Sequence, residues 1–224
     1  DVLIDTNFYH DYQTRYNGLI PSHCHTLLGP TYAFLRSEFF CIDNRIRANN
    51  HFLVCFGGSD PINLTERVVD ILTTLKSSPF TADIIVGPGY KHINSLRLKI
   101  QSLVGVNLHQ NCTYMSSLMQ GASFMLGAGG SMHWERAKSG VAGLIITLAD
   151  NQIETTRALH DSDCCLWLGG ENELADDHIC KAIEKALHSP DQMRYLASNA
   201  AKLVEPNQSP SFVVDTILEI VKRY

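Results

Sequence analysis

From His51 onward, short apolar runs alternate with stretches of helical periodicity, which predicts an α/β fold with a Rossmann-like parallel sheet and flanking helices. Three observations carry that expectation. The apolar runs are strand-length and mostly unalternated, as in strands buried on both faces. Glycine-rich turns follow two of them, at the ends where open α/β sheets hold ligands. The 224 residues, 45% hydrophobic and 18% charged, supply enough apolar surface to bury a core.

Residues 1 to 48 read as irregular. They hold a strand at Val2-Leu3-Ile4, a polar stretch through Asn17 and turn-rich pieces at 21–25 and 29–32, too short and mixed for a domain. The strand runs are Phe52–Phe56, Asp83–Val86, Val104–Leu108, Ser123–Leu126 and Gly143–Thr147. Between the first two, Leu64, Val68, Ile71, Leu72 and Leu75 recur at helical spacing. Asn63, three residues before Glu66, offers that helix a capping box. Further helices are expected near 91–103, 114–120, 131–140 and 152–160. The tail from about 173 reads as three more, with Pro190 and Pro210 marking the breaks and Val213, Ile217 and Val221 on one stripe of the last. There is no internal repeat.

Charge and composition exclude several classes. A formal net charge of −5 and the lack of any Lys/Arg run argue against nucleic-acid binding. The longest stretch without Asp, Glu, Lys or Arg, Ile100 to Trp134, is broken by Gly, Ser, Asn, Gln and His, so no membrane insertion is expected. The N-terminus has neither an initiator Met nor a signal-peptide pattern and reads as a chain entered in mid-fold. Seven cysteines without a CxxC pair read as small buried hydrophobes in a reduced, cytoplasmic protein.

Four loops fall at expected strand ends. Gly57-Gly58-Ser59-Asp60-Pro61 lets backbone approach an anion, and the following helix N-terminus offers unpaired N–H groups; an ordinary strand-to-helix turn is the alternative. Gly127-Ala128-Gly129-Gly130-Ser131 repeats the arrangement, and two such loops in one sheet suit a diphosphate. Glu135, one turn further on, can accept hydrogen bonds from ribose hydroxyls, or else favour the helix dipole or pair with Arg136 or Lys138. Ala149-Asp150-Asn151-Gln152 places carboxamides within reach of sugar or phosphate oxygens, or simply caps a helix. In 109–115, main-chain groups could meet the edge of a base.

Catalytic candidates are poorer. His23, His25, His92, His109 and His133 show no metal-ligand spacing, and there is no GxSxG. Cys24 and Cys112 have no identifiable activating base.

Taken together, Leu27–Phe39 (LLGPTYAFLRSEF), Gly57–Asp60, Gly127–Ser131 through Trp134-Glu135-Arg136, and Ala149–Gln152 resemble the pseudaminic-acid pathway UDP-sugar hydrolases. Those enzymes are related to spore-coat polysaccharide biosynthesis proteins and, more widely, to GT-B glycosyltransferases. The resemblance implies the C-terminal half of a GT-B-type fold, with a UDP-sugar as the partner and no cofactor or metal. It makes Gly58, Ser59, Gly130 and Ser131 diphosphate contacts, Glu135 the ribose ligand and Met115 a main-chain partner of uracil. It places Asn151 and Gln152 beside the sugar-diphosphate. It also implies that 1–48 is the end of an N-terminal domain and its linker, and 49–224 the nucleotide-binding domain. The family's histidine, proposed as catalytic base, belongs to the missing N-terminal part, so no catalytic residue is assigned. UDP-sugar hydrolysis in pseudaminic acid biosynthesis and flagellin glycosylation is the implied role. A UDP-sugar-dependent glycosyltransferase and an inactive nucleotide-sugar-binding module are the alternatives.

Overall fold

The computed structural model describes residues 1–41, 47–48, 50–75 and 79–222. The expected boundary at 48/49 adjoins residue 49, which lies outside the described residues. Six strands form one parallel sheet: β3 (His51–Cys55), β4 (Thr81–Val86), β5 (Val106–Gln110), β6 (Phe124–Ala128), β7 (Ala142–Thr147) and β8 (Leu166–Gly170), in spatial order β5-β4-β3-β6-β7-β8. This is a doubly wound sheet whose direction of winding reverses between β3 and β6. Each strand is parallel to its neighbours because a helix carries the chain back across a face.

The residues explain the layers. Phe52, Val54, Ile84, Leu126 and Leu144 point to one face, where α1 (Leu64–Thr74), α2 (Ile93–Ile100) and α6 (Asp176–His188) cover them. Phe52 of β3 stacks on Phe124 of β6 with ring centroids 4.8 Å apart, pinning the two central strands. Leu53, Cys55, Ile85, Met125 and Ile145 point to the other face, covered by α3 (Met115–Gly121), α4 (Met132–Lys138) and α5 (Asp150–Asp161). The helix α7 (Pro190–Val204) adds side chains to cores on both faces. The three expected tail helices are present, α7 beginning on Pro190. In the last, α8 (Phe212–Lys222), only Val213 of the expected stripe is buried, and Val221 remains 59% exposed.

Several expectations shift. The third run starts at Val106, because Gly105 turns with φ +78° and leaves Val104 97% exposed. The strand β8 was not expected. Nor was the pairing of β1 (Val2–Asp5) with β2 (His25–Leu28), a two-stranded parallel sheet running Val2↔His25 to Asp5↔Leu28. This N-terminal segment packs on the larger sheet's helices. Thr31 Oγ1 donates to Leu203 O (3.2 Å), Asn207 Nδ2 to Ala33 O (2.8 Å), and Arg15 pairs with Glu154 of α5 (2.6 Å). No helix among the described residues is long and apolar enough to cross a membrane.

Candidate functional site

The register Cys55↔Gly127 sets the ends of β3 and β6 side by side, so the two glycine-rich loops leave the sheet together at the reversal point. Gly127 is required there: a Cβ on it would lie 2.6 Å from Cys55 O and 2.6 Å from Met125 Cε. Gly130 turns the second loop with φ +98°, a conformation that favours glycine.

The first loop departs from expectation. Asn63 does not cap α1. It sits in the left-handed region (φ +58°), makes no cap bond, and donates from Nδ2 to Glu66 Oε2 instead (2.7 Å). The cap is Asp60, 3% exposed, whose carboxylate accepts from Leu64 N (2.9 Å) and Thr65 N (2.7 Å). Two of the helix amides expected to be open to an anion are therefore already occupied, and the first loop presents Gly58 and Ser59, both exposed.

A third loop, absent from the sequence-based expectation, holds the first in place. Gly87-Pro88-Gly89 follows β4, and Gly89 N donates to Gly58 O (3.1 Å). A Cβ on Gly87 would overlap the Gly58 backbone. The signal was legible as a Gly-Pro-Gly turn directly after a strand-length run.

In the second loop Ser131 stands before α4 with α-helical dihedrals and no side-chain cap. The Ser131 and Met132 amides have no acceptor among the described residues. Gln152, in the first turn of α5, lies against this loop. Its Oε1 accepts from Leu148 N (2.9 Å), and its Nε2 is 4.0 Å from where a Gly130 Cβ would stand. Asn151 is exposed and no hydrogen bond ties it to the loops among the described residues.

Glu135 pairs with neither Arg136 nor Lys138. Arg36 Nε donates to its Oε1 (3.0 Å), leaving Oε2 without a protein donor among the described residues. Arg36 also pairs with Glu38 (2.7 Å), whose Oε2 accepts from Ser116 N (3.1 Å), beside Met115. One chain of contacts thus joins Glu135, the 36–38 segment and the start of α3, where Met115 is buried. Arg136 is instead fully buried, donating to Val141 O (2.8 Å) and Cys164 O (3.3 Å).

Of the candidate histidines and cysteines, His133, His109 and Cys112 are held by burial or by partners, and His23 stands far off. His133 is buried and faces Thr156 Oγ1 (3.2 Å). Burial, then the nearby Arg136, lowers its pKa to about 3. His109 and His51 both reach Asp83 through Nε2, at 2.9 and 3.2 Å, with Tyr114 and Thr81 hydroxyls on their other nitrogens. Burial, partly offset by Tyr114 N–H, pushes the Cys112 thiol up, away from nucleophilic character. His23 pairs with Asp1, remote from the reversal point in sequence and sheet. Among the described residues no group of three or more His, Cys, Asp or Glu is arranged to hold a metal.

No family model matches the chain. It is similar to the spore coat polysaccharide biosynthesis protein SpsG of Bacillus subtilis, 24% identical over 168 residues, 72% of this chain and 49% of that protein. An uncharacterized protein of Methanocaldococcus jannaschii is 27% identical over 135 residues, 56% and 27% of the two chains. The UDP-2,4-diacetamido-2,4,6-trideoxy-beta-L-altropyranose hydrolase of Campylobacter jejuni is 32% identical over 77 residues, 34% and 28%. The chain thus spans about half or less of the curated relatives it matches. Among solved structures, MurG of Acinetobacter baumannii superposes with a TM-score of 0.64 at 16% identity over 98% of this chain and 60% of that one. The calicheamicin glycosyltransferase CalG4 gives 0.62 at 14% over 92% and 49%. The fold is that of GT-B glycosyltransferase domains, with distant sequence similarity to SpsG and a UDP-sugar hydrolase.

Proposed function

We propose that this chain is the nucleotide-sugar-binding half of a UDP-sugar hydrolase that releases UDP from a diacetamido-trideoxy sugar in nonulosonic (pseudaminic) acid biosynthesis. The observation that carries the reading is the pairing of two glycine-rich loops at the β3/β6 reversal, with uncapped amides at the second. In this reading Gly130 and Ser131, with Gly58 and Ser59, meet the diphosphate. The open Oε2 of Glu135 accepts from ribose hydroxyls, and Met115 meets uracil through its main chain. Gln152, its Oε1 fixed by Leu148, presents its Nε2 to the sugar-diphosphate, with Asn151 beside it. Residues 1–48 are then the end of a preceding domain and its linker, and 49–224 the nucleotide-binding domain. Water attacks the anomeric carbon, the bond to UDP breaks, and backbone amides stabilise the charge gathering on the departing diphosphate. The base that takes the water proton comes from the preceding domain.

A second reading, UDP-sugar-dependent glycosyl transfer, is favoured by the likeness to glycosyltransferase structures and uses the same half-site with an acceptor hydroxyl in place of water. Free sugar formed from the nucleotide sugar by the complete gene product, with no acceptor present, decides for hydrolysis.

Calorimetric titration with UDP, GDP and uridine tests the half-site without turnover. The expected result is UDP binding at least tenfold tighter than uridine, weakened five- to tenfold by Glu135→Ala. Equal binding of all three, or none, would overturn the assignment.

A further inference from the structure

The segment that carries Arg36 and Glu38 is anchored on both sides of its charged residues. Ser37–Phe40 form a 3₁₀ turn whose Phe39 is buried in the same apolar cluster as Met115 and Met119 of α3. Gln120 Nε2, near the far end of α3, donates to Cys41 O (2.9 Å). From this fixed turn Glu38 Oε2 accepts from Ser116 N (3.1 Å), 78 positions away in sequence. Arg36 Nε donates to Glu135 Oε1 (3.0 Å), and Arg36 and Glu38 pair with each other (2.7 Å).

The start of α3 depends on that distant carboxylate. Its N-cap residue, Tyr114, makes no side-chain cap bond, and the Tyr114 hydroxyl is engaged with His109 Nδ1 instead (3.0 Å). A helix without a local cap leaves its first amides orphaned, and a negative charge at that end is favoured. Glu38 serves the Ser116 amide, while Met115 N has no acceptor among the described residues.

We propose that Glu38 is the positioning residue of the nucleoside part of the site: it holds the Met115 main chain and, through Arg36, the Glu135 carboxylate at one fixed separation, and so sets the preference for the base. The proposal rests on the nucleotide-sugar reading above. A base and its ribose are joined at a fixed distance, so a main-chain group for the one and a carboxylate for the other work together only when their spacing is preorganised. The sheet does not supply that spacing. The helix α3 leaves β5 and α4 leaves β6, strands separated by β4 and β3. The bridge Glu135–Arg36–Glu38–Ser116 spans the gap with three charge-assisted contacts, and Glu38 is common to two of them. Glu38 therefore acts through Ser116 and Arg36 rather than on the ligand itself.

Titration calorimetry of the full chain with UDP, GDP and inorganic pyrophosphate separates the nucleoside from the diphosphate, and amide exchange at Ser116 reports the bridge directly. In Glu38→Ala the Ser116 amide is expected to exchange at least about tenfold faster, UDP affinity to fall about tenfold and the preference for UDP over GDP about fivefold. Pyrophosphate, which needs neither Met115 nor Glu135, is expected to bind no more weakly. Glu38→Gln, which keeps an acceptor for Ser116 N but not the charge facing Arg36, is expected to lose about threefold in UDP affinity. Because Arg36 links the two sites, Glu38→Ala and Glu135→Ala together are expected to weaken UDP binding by at least about threefold less than the product of their separate effects. Unchanged Ser116 exchange, an unchanged preference for UDP, additive effects, or a pyrophosphate affinity that falls as far as that of UDP would each overturn the proposal while the nucleotide reading stands. An unmodified chain that binds neither UDP nor pyrophosphate overturns the nucleotide reading and this proposal with it.

Discussion

The loop after β3 and the loop after β6 leave adjacent central strands at the same end of the sheet, yet they deliver their helices in opposite states. Asp60 reaches forward from the first and closes the Leu64 and Thr65 amides, whereas Ser131 leaves the start of α4 without a side-chain cap. Their acidic residues differ in the same sense. Glu66 is held by Asn63, Ser95 and Lys99, while Glu135 has Arg36 on one oxygen and the other open. A glycine-rich turn before a helix is therefore not by itself an anion site; what matters is whether the protein has already supplied the anion. The first loop is built as a wall, packed on Gly87-Pro88-Gly89, and the second as an opening.

The strongest way to break this comparison is to part the strands that bring the loops together. Gly127→Ala puts a Cβ against Cys55 O and Met125 Cε at the β3/β6 junction. Overpacking between two central strands is expected to cost about 3 kcal/mol and to lower Tm by roughly 6–12 °C in a chain of this size. Denaturant and thermal unfolding measure it, and a loss under about 1 kcal/mol would show that β3 and β6 do not approach as described.

Asp60→Ala against Ser131→Ala addresses the capping difference directly. Losing a buried carboxylate that serves two amides is expected to cost about 1–2 kcal/mol, while removing a hydroxyl with no cap bond should stay within about 0.5 kcal/mol. Equal losses in urea unfolding would erase the distinction between a closed and an open helix start.

The sheet was largely legible because four of its strands, β3, β4, β6 and β7, are mostly apolar runs buried on both faces, and that pattern survives without knowledge of partners. β8 was not, since Leu166-Trp167-Leu168-Gly169-Gly170 is a half-buried edge strand with two glycines and a register shift opposite Ile145/Ile146. The loops could be located, but not their state. Asn63 and Glu66 have the spacing of a capping box, and only the left-handed backbone at Asn63 diverts that side chain and leaves the amides to Asp60. Arg36 and Glu135, 99 positions apart, meet through the path of the chain, which no local pattern records. The GT-B-like fold, by contrast, is legible in the order of four short pieces of sequence, Leu27–Phe39, Gly57–Asp60, Gly127–Arg136 and Ala149–Gln152.

Glu66 and Glu135 provide the smallest and most selective test, because both stand in the first turns of helices that begin at the reversal point. Burial alone would raise the Glu66 pKa, but hydrogen bonds from Ser95 and Asn63 and the Lys99 ammonium outweigh it and bring it to about 2 from 4.5. A carboxylate whose pKa is depressed on folding adds stability that is fully present above its unfolded value and disappears as pH falls through its folded value. The excess stability of the unmodified chain over Glu66→Gln is thus expected to be constant above about pH 5 and to shrink between pH 5 and pH 2, by about 1 kcal/mol once solvent screening at the partly exposed Lys99 is allowed for. Glu135→Gln, which loses a pairing to a half-exposed Arg36, is expected to change stability at pH 7 by no more than about 0.5 kcal/mol. Were Glu66→Gln to show no loss of that excess between pH 5 and pH 2, or the two variants to lose equal stability at pH 7, the contrast between a carboxylate committed to the fold and one left open for a ligand would be lost.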